Sequence, residues 1–470
     1  MIERDETGTL PLAQPGELRD DDGRVRPEFV ASVHTAISTA NRDALAALVG
    51  DLHEADLGEL IEELEPEDRP LLVTLLGRDF DFAALTEIDD AVREEILEEV
   101  SNEAIAEGVR DLDSDDAVYI LEDLDAEDQE EVLAKLPAQD RDTLERSLDF
   151  PEESAGRRMQ ADFIAVPPFW TVGQTIDFMR DTEDLPDQFY QIFVIDAERK
   201  VQGKVALDRL LRAKRPVRIA DLMEDVEHTA HVLDDQEDVA DEFKRYNLVS
   251  IPVVDDEERI VGVLTFDDIV DVIEQEADED MLALGGVQAG EETSDPVLSI
   301  ARGRIPWLLA NMVTAFLAST VISGFQGQIE KMVVLAVLAP IVASIGGNAG
   351  TQTMTVTVRA LAARAMDRGD AFRAVVREAG VGIINGAVMA IAVGIVAGLW
   401  FQNRDVGFVI AAAMQIVLVM AALGGVAVPV IIDRLGIDPA VSSGPFVTTL
   451  TDIVGFFTFL GVATLWFGLA

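Results

Sequence analysis

Residues 332–359 read "MVVLAVLAPIVASIGGNAGTQTMTVTVR". Up to Arg359 the stretch carries no charge, and it is long enough to cross a hydrocarbon core of about 30 Å as a helix. Its second half nevertheless holds Asn348, Thr351, Gln352, Thr353 and Thr355 among Gly346, Gly347 and Gly350. A lipid-facing helix has no use for amides and hydroxyls at that density. Asn348, Gln352 and Thr355 recur at i, i+4 and i+7, with Thr351 beside them, so they share one helical face. The glycines permit close helix approach or a local break, and Pro340 a kink. The plainer account is that small and amide residues glue helices together, a role equally open to Asn311 and Asn385 in other apolar runs.

Four more apolar runs of spanning length follow the same composition, near 305–325, 379–401, 406–432 and 443–469. The last contains Asp452, about ten residues from its start. An aspartate at mid-bilayer costs about 2.5–3.5 kcal/mol on insertion scales. No Lys or Arg lies inside any of the five apolar cores, so Asp452 has no intramembrane cation partner in its own sequence. Pro445, Thr448, Thr449 and Asp452 fall at i, i+3, i+4 and i+7, on a helix entered through Gly444-Pro445. Pro445 frees backbone carbonyls, tolerated at this depth only where they are packed or line a cavity. Hydroxyl, carbonyl and carboxylate oxygens suit a hard cation, and the runs contain no His or Cys for a softer one. Gly347, Asn348, Gly350, Gln352, Thr355, Pro445, Thr448 and Thr449 are therefore candidate pore-lining residues, with Asp452 as the ion ligand.

The chain has 470 residues, no cysteine and a net charge of -52. From residue 301 onward there are 8 acids and 10 bases, which leaves 80 of the 88 acids and 26 of the 36 bases in the first 300 residues. Two such regimes imply separate domains in separate solvents. Arg302 and Arg304 flank the first run, and Arg359, Arg364, Arg368, Arg373 and Arg377 fill the connection after the second. By the positive-inside rule the acidic part is cytoplasmic, and five spans place the C-terminus outside. No signal peptide is expected, and residues 1–30 read as a disordered acidic tail. With only six lysines, the acidity also fits a surface adapted to high salt, so carboxylate density alone does not locate a metal site. It does disfavour nucleic acid as a partner.

Residues 31–150 show helical spacing throughout, and "LIEELEPEDR" (60–69) returns as "ILEDLDAEDQ" (120–129) at an offset of 60, as in a helical solenoid. A second repeat aligns "FVIDAERKVQGKVALD" (193–208) with "PVVDDEERIVGVLTFD" (252–267) at a constant offset of 59. Each copy reads strand, acidic turn, strand, helix. This pair resembles the tandem CBS domain. Such pairs often bind adenine nucleotides through Ser/Thr-x-x-Asp, kept here as Thr265 and Asp268 but replaced by Ala206 and Arg209 in the first copy. ATP at Thr265 and Asp268, or a plain scaffold, both stay open. The following helix carries Asp268, Asp271, Glu276, Glu279 and Asp280 on one broad sector, a mutual repulsion that solvent ions or bound divalent cations would relieve. His228 and His231 read as surface residues.

The order of these parts, the P-x6-G-N-x-G-x-Q pattern from Pro340 to Gln352 and the T-L-x-D ending at Asp452 resemble the MgtE family of magnesium channels. The resemblance implies a multi-domain chain: an all-α N-terminal helical solenoid, an α/β tandem CBS pair, a long connecting helix and a five-helix α transmembrane bundle. The expected bounds are 1–30, 31–150, 151–266, 267–298 and 299–470. It implies a non-enzymatic homodimer, joined through its membrane and CBS domains in the cell membrane, with a pore lined by the second and fifth spans. Asp452 would hold a largely hydrated Mg2+. Cytoplasmic Mg2+ bound by Asp268, Asp271, Glu276, Glu279 and Asp280, with Asp115 or Asp116 as helical-domain partner, would close the pore. Thr351 and Gly444 stand where some relatives carry Asn. The residues alone also admit Co2+ or Ca2+ as the ion, or a membrane-anchored CBS sensor without transport. No phosphate-binding loop, catalytic triad or redox thiol points to an enzyme.

Overall fold

The computed structural model describes residues 18–20, 22–182, 185, 186, 188–288, 291, 297–362 and 368–469, so the expected tail up to residue 17, Asp21 and Arg364 lie outside the described residues. It divides into two compact units, Met1–Glu274 and Gln275–Ala470.

In the first unit, helices α1 (Pro27–Ser38), α2 (Arg42–Val49), α3 (Glu54–Glu62), α4 (Arg69–Leu76), α5 (Asp90–Glu99), α6 (Asn102–Val109), α7 (Ser114–Leu121), α8 (Ala126–Lys135) and α9 (Ala138–Leu148) share one apolar core. The offset of 60 relates α2 to α6 and α3 to α7. Short polar caps separate the helices: Asn41 accepts from the Ala44 amide at 3.1 Å, and Asp125 from those of Glu127 and Asp128. The tail reading fails for residues 18–20 and 22–30. Leu18, Val25 and Phe29 belong to this core, and the Arg19 guanidinium pairs with Asp56 and Glu59 at 2.5 Å. Three apolar anchors outweighed the acidic composition of the segment.

Helix α10 (Ala155–Arg158) leads into two three-stranded sheets. The first comprises β1 (Ala165–Val166), β2 (Gln191–Ile195) and β3 (Val201–Ala206), with α11 (Val172–Asp181) and α12 (Leu207–Arg212). The second comprises β4 (Ala230–His231), β5 (Ser250–Val254) and β6 (Ile260–Thr265), with α13 (Gln236–Tyr246) and α14 (Phe266–Gly285). In each sheet the outer pair is parallel and the β-hairpin antiparallel. The offset of 59 extends to backbone detail. Register irregularities fall at Val194/Ile195 and Val253/Val254, and positive φ occurs at Arg199 and Glu258. The copies meet at a Lys200–Arg259 bridge, with Phe193, Ile260 and Val263 in one apolar cluster.

The second unit holds α15 (Val297–Ser323), the short α16 (Gln326–Lys331), α17 (Val334–Ala362), α18 (Arg368–Trp400), α19 (Arg404–Arg434) and α20 (Pro439–Phe467). Among the described residues five of these are long and apolar enough to cross a membrane. At 27 to 33 residues they exceed the roughly 20 needed for the hydrocarbon core. Helix α19 is central, packed by α17, α18 and α20 around Ile410, Ala413, Met414 and Val417. The opposite faces of α15 and α18 leave Phe316, Ile384 and Ile391 exposed, as lipid contact requires. The C-terminal end of α14 joins this unit: Ala283 is buried with Met354, Val358, Ala440 and Val447.

Two sequence expectations change here. Helix α17 runs unbroken through Pro340 and the glycines, so no local break occurs. The glycines serve contact instead. A Cβ on Gly350 would stand 2.9 Å from Thr451 Cγ2 of α20, and one on Gly425 of α19 would stand 2.7 Å from the Gly350 carbonyl oxygen. Helix α20 likewise does not begin at Gly444-Pro445. It starts at Pro439, capped by Asp438, whose carboxylate accepts from the Ala440 amide at 2.7 Å, and it passes through Pro445.

Candidate functional site

Asp452 lies near the middle of α20 and is half-buried. Among the described residues its carboxylate has neither hydrogen bond nor ion pair. The preceding Thr451 is buried at 2% exposure and turned into the glycine surface of α17, while its hydroxyl donates back to the Val447 carbonyl at 3.0 Å. Packing of Val447, Thr451 and Gly455 on α17 thus fixes the roll of α20 and leaves Thr448 and Asp452 beside the contact rather than inside it. Thr449 is not an open ligand, because its hydroxyl donates to the Pro445 carbonyl at 2.6 Å within the helix. On α17, Ser344, Asn348, Thr351 and Thr355 are all exposed and spaced as one stripe. Gly347 and Gly350 face α20. Gln352 is exposed as well, and it also lines a pocket with Glu378 and Asn385 on the α18 side of the helix.

The second cluster belongs to the first unit. Asp115 and Asp116 open α7, and Asp268 opens α14 after β6. The Oδ1 of Asp115 is buried without a partner. Burial, then Asp268, Asp116 and Asp113, push the Asp115 carboxyl well above the usual range. Burial and then Asp268 raise Asp116 to about 7. Asp268 is raised to about 6 by burial, against the Thr265 hydroxyl and amide that donate to it. Asp271 is raised by burial and then by Glu87, which is itself raised by burial and by Glu54. Asp113, Glu54 and Glu87 went unnoticed in the sequence, since acids are so common there that none stands out. In the second unit, burial and Asp438 raise Asp280, whereas Glu276 and Glu279 are half-buried on the same helix.

These are oxygen ligands of the type a hard cation takes. Among the described residues, however, no three His, Asp or Glu side chains are gathered closely enough to hold a bare ion. The arrangement suits a cation that keeps water between itself and the carboxylates.

Family models match three parts of the chain: MgtE, a divalent cation transporter, at 339–462; the MgtE intracellular N domain at 52–153; and a CBS domain at 219–275. The magnesium transporter MgtE of Enterococcus faecalis is 34% identical over 322 residues, 68% of this chain and 71% of that one. That of Thermus thermophilus is 30% identical over 446 residues, 93% of this chain and 98% of that one. The chain belongs to the MgtE family. A solved cytosolic domain of the Mg2+ channel MgtE in complex with ATP is 27% identical, with a TM-score of 0.48 over 52% of this chain and 99% of that chain. The MgtE-family chain is thus a multi-pass membrane protein with a soluble cytosolic part, and its relatives are transporters rather than enzymes.

Proposed function

We propose that this MgtE-family chain conducts Mg2+ into the cell down its electrochemical gradient past Asp452, and that cytoplasmic Mg2+ closes the path. Asp452 carries the reading: an acid in mid-helix without a cation partner among the described residues, beside an open stripe of hydroxyls and an amide. Leaving such a carboxylate charged costs about 2.5–3.5 kcal/mol unless water or a cation reaches it. Mg2+ gives up water reluctantly, so one carboxylate with waters held by Thr448, Asn348 and Thr351 matches its chemistry better than an all-protein cage. Thr448, Asn348 and Thr351 are open in a single chain, which supports a homodimer in the bilayer whose second copy completes the path. The CBS pair would form the other dimer contact. The positive-inside rule supports a plasma-membrane orientation with cytoplasmic N-terminal domains and an external C-terminus. Domains are assigned as helical up to 150, CBS pair 151–266, connecting helix from 267 and membrane part to 470.

Closure rests on linkage. A cation that neutralises Asp115, Asp116, Asp268 and Asp271 favours the conformation in which they are close, and only that differential affinity shifts the equilibrium. The orphaned Asp115 oxygen fits such an ion. Asp268 engages Thr265 and neighbours Asp115, so we assign it to cation sensing ahead of ATP. Helix α14 runs in one piece from these acids to Ala283, which packs against α17 and α20. Growth of a Mg2+-uptake-deficient cell tests the pore: the wild type should rescue it in low Mg2+ and Asp452→Ala should not. Rescue by both would leave the sensor reading standing, and rescue by Co2+- or Ca2+-dependent traits alone would change the ion.

A further inference from the structure

The pocket that Gln352 borders on the α18 side of α17 is a site of its own. It sits on α19 between α17 and α18, has a volume of about 100 Å3, and is lined on its polar side by Gln352, Thr353, Glu378 and Asn385. Leu418 and Ala422 of α19 form the apolar floor. Thr353 is buried at 7% exposure, and its hydroxyl donates to Glu378 Oε2 at 3.4 Å. The Glu378 side chain is only 14% exposed, and its other oxygen lies 3.3 Å from Arg377 Nε. Gly382 is buried in the pocket wall, where a Cβ would stand 3.0 Å from the Leu418 carbonyl, so α18 approaches α19 closely here.

We infer that this pocket binds a small monovalent cation of the Na+ class, separate from the ion path at Asp452. The donors are a carboxylate, a hydroxyl and two amide oxygens, a hard-cation set without nitrogen or sulfur ligands. Charge chooses the valence. Arg377 already offsets part of the Glu378 charge, although its own side chain is 66% exposed and screened by solvent. What remains balances a single positive charge better than two. With the four protein oxygens and one or two waters, a monovalent ion reaches five or six ligands. An occupied pocket also relieves a carboxylate held against apolar walls.

Equilibrium binding of 22Na+ to the purified full chain in lipid nanodiscs, with choline chloride holding ionic strength constant, tests this. The wild type is expected to bind Na+ saturably, near one ion per chain. Glu378→Gln should weaken binding at least tenfold and Asn385→Ala to a lesser degree, while Asp452→Asn, which removes the mid-helix carboxylate of α20, should leave it intact. MgCl2 at matched ionic strength should displace no more 22Na+ than choline does. Absence of saturable binding in the wild type overturns the inference. So does loss through Asp452→Asn in place of the pocket variants, or competitive displacement by Mg2+, which would make the site divalent. Should Glu378→Gln not fold, Asn385→Ala decides the matter alone.

Discussion

Arg93 and Asp115 are both charged groups withdrawn from water, and the protein treats them in opposite ways. The Arg93 side chain is 1% exposed and fully accompanied: Asp90 at 2.7 Å, Asp123 on its Nε, and the Tyr119 ring 4.2 Å from the guanidinium carbon. This buried network ties α5 to α7 and to the turn after it. Removing the cation would leave Asp123 buried beside Asp90, and breaking such pairs costs about 3–5 kcal/mol. Arg93→Ala is therefore expected to lower stability by that order in thermal or denaturant unfolding, with Asp123→Asn recovering part of the loss in the double variant. Asp115 has no such company, only further carboxylates and one buried oxygen without a partner. A group left so costly by its surroundings is a candidate for a ligand not made of protein.

At the scale of elements, the contact of α17 with α20 decides where Asp452 points. Gly350 is the tight spot, with Thr451 Cγ2 at 2.9 Å and Val447 Cγ1 at 3.0 Å from a built Cβ. Gly350→Val should force the helices apart at about 1–3 kcal/mol of overpacking and abolish Mg2+-dependent rescue while the chain still reaches the membrane. Gly461→Val, on the same helix as Asp452 but with open space at its Cβ, should leave rescue intact. Equal rescue by both would show that this contact does not position the carboxylate. The existence of these helices was readable from apolar run length alone, and the paired CBS copies from an offset that holds to the bulge. Helical roll was not. Asn348 and Gln352 share a face by spacing and both are exposed, yet only Gln352 also borders a pocket with Glu378. Only the neighbours of α17 separate them, and sequence spacing carries no information about neighbours. Likewise Glu54, Glu87 and Asp438 reach the acidic clusters from distant segments, hidden among 88 acids.

For the whole molecule, a net charge of -52 makes self-repulsion a standing cost of compactness, and pH exposes where that cost concentrates. Asp268 and Asp116 have folded values near 6 and 7 against 3.8 for an ordinary aspartate, and Asp115 is also raised. The folded state thus holds more protons than the unfolded state between about pH 4 and 7. Stability must then fall as pH rises through that window, since the slope follows the difference in bound protons. A rise of two units corresponds to roughly 3 kcal/mol for an isolated group. Carboxylates paired with arginine, such as Glu107 with Arg78, are lowered and lose their contribution only at more acid pH. The full chain without divalent ions is expected to melt at a higher temperature at pH 5.5 than at pH 8. Mg2+ at pH 8 should restore much of the difference, because a ligand at a hundredfold its Kd adds about 2.7 kcal/mol. At pH 5.5 the same Mg2+ should add less, protons having already neutralised the acids it would bind. Asp115→Asn with Asp268→Asn should flatten both responses together. A chain whose melting temperature ignores pH across this range, or gains equally from Mg2+ at both, would separate these carboxylates from cation sensing.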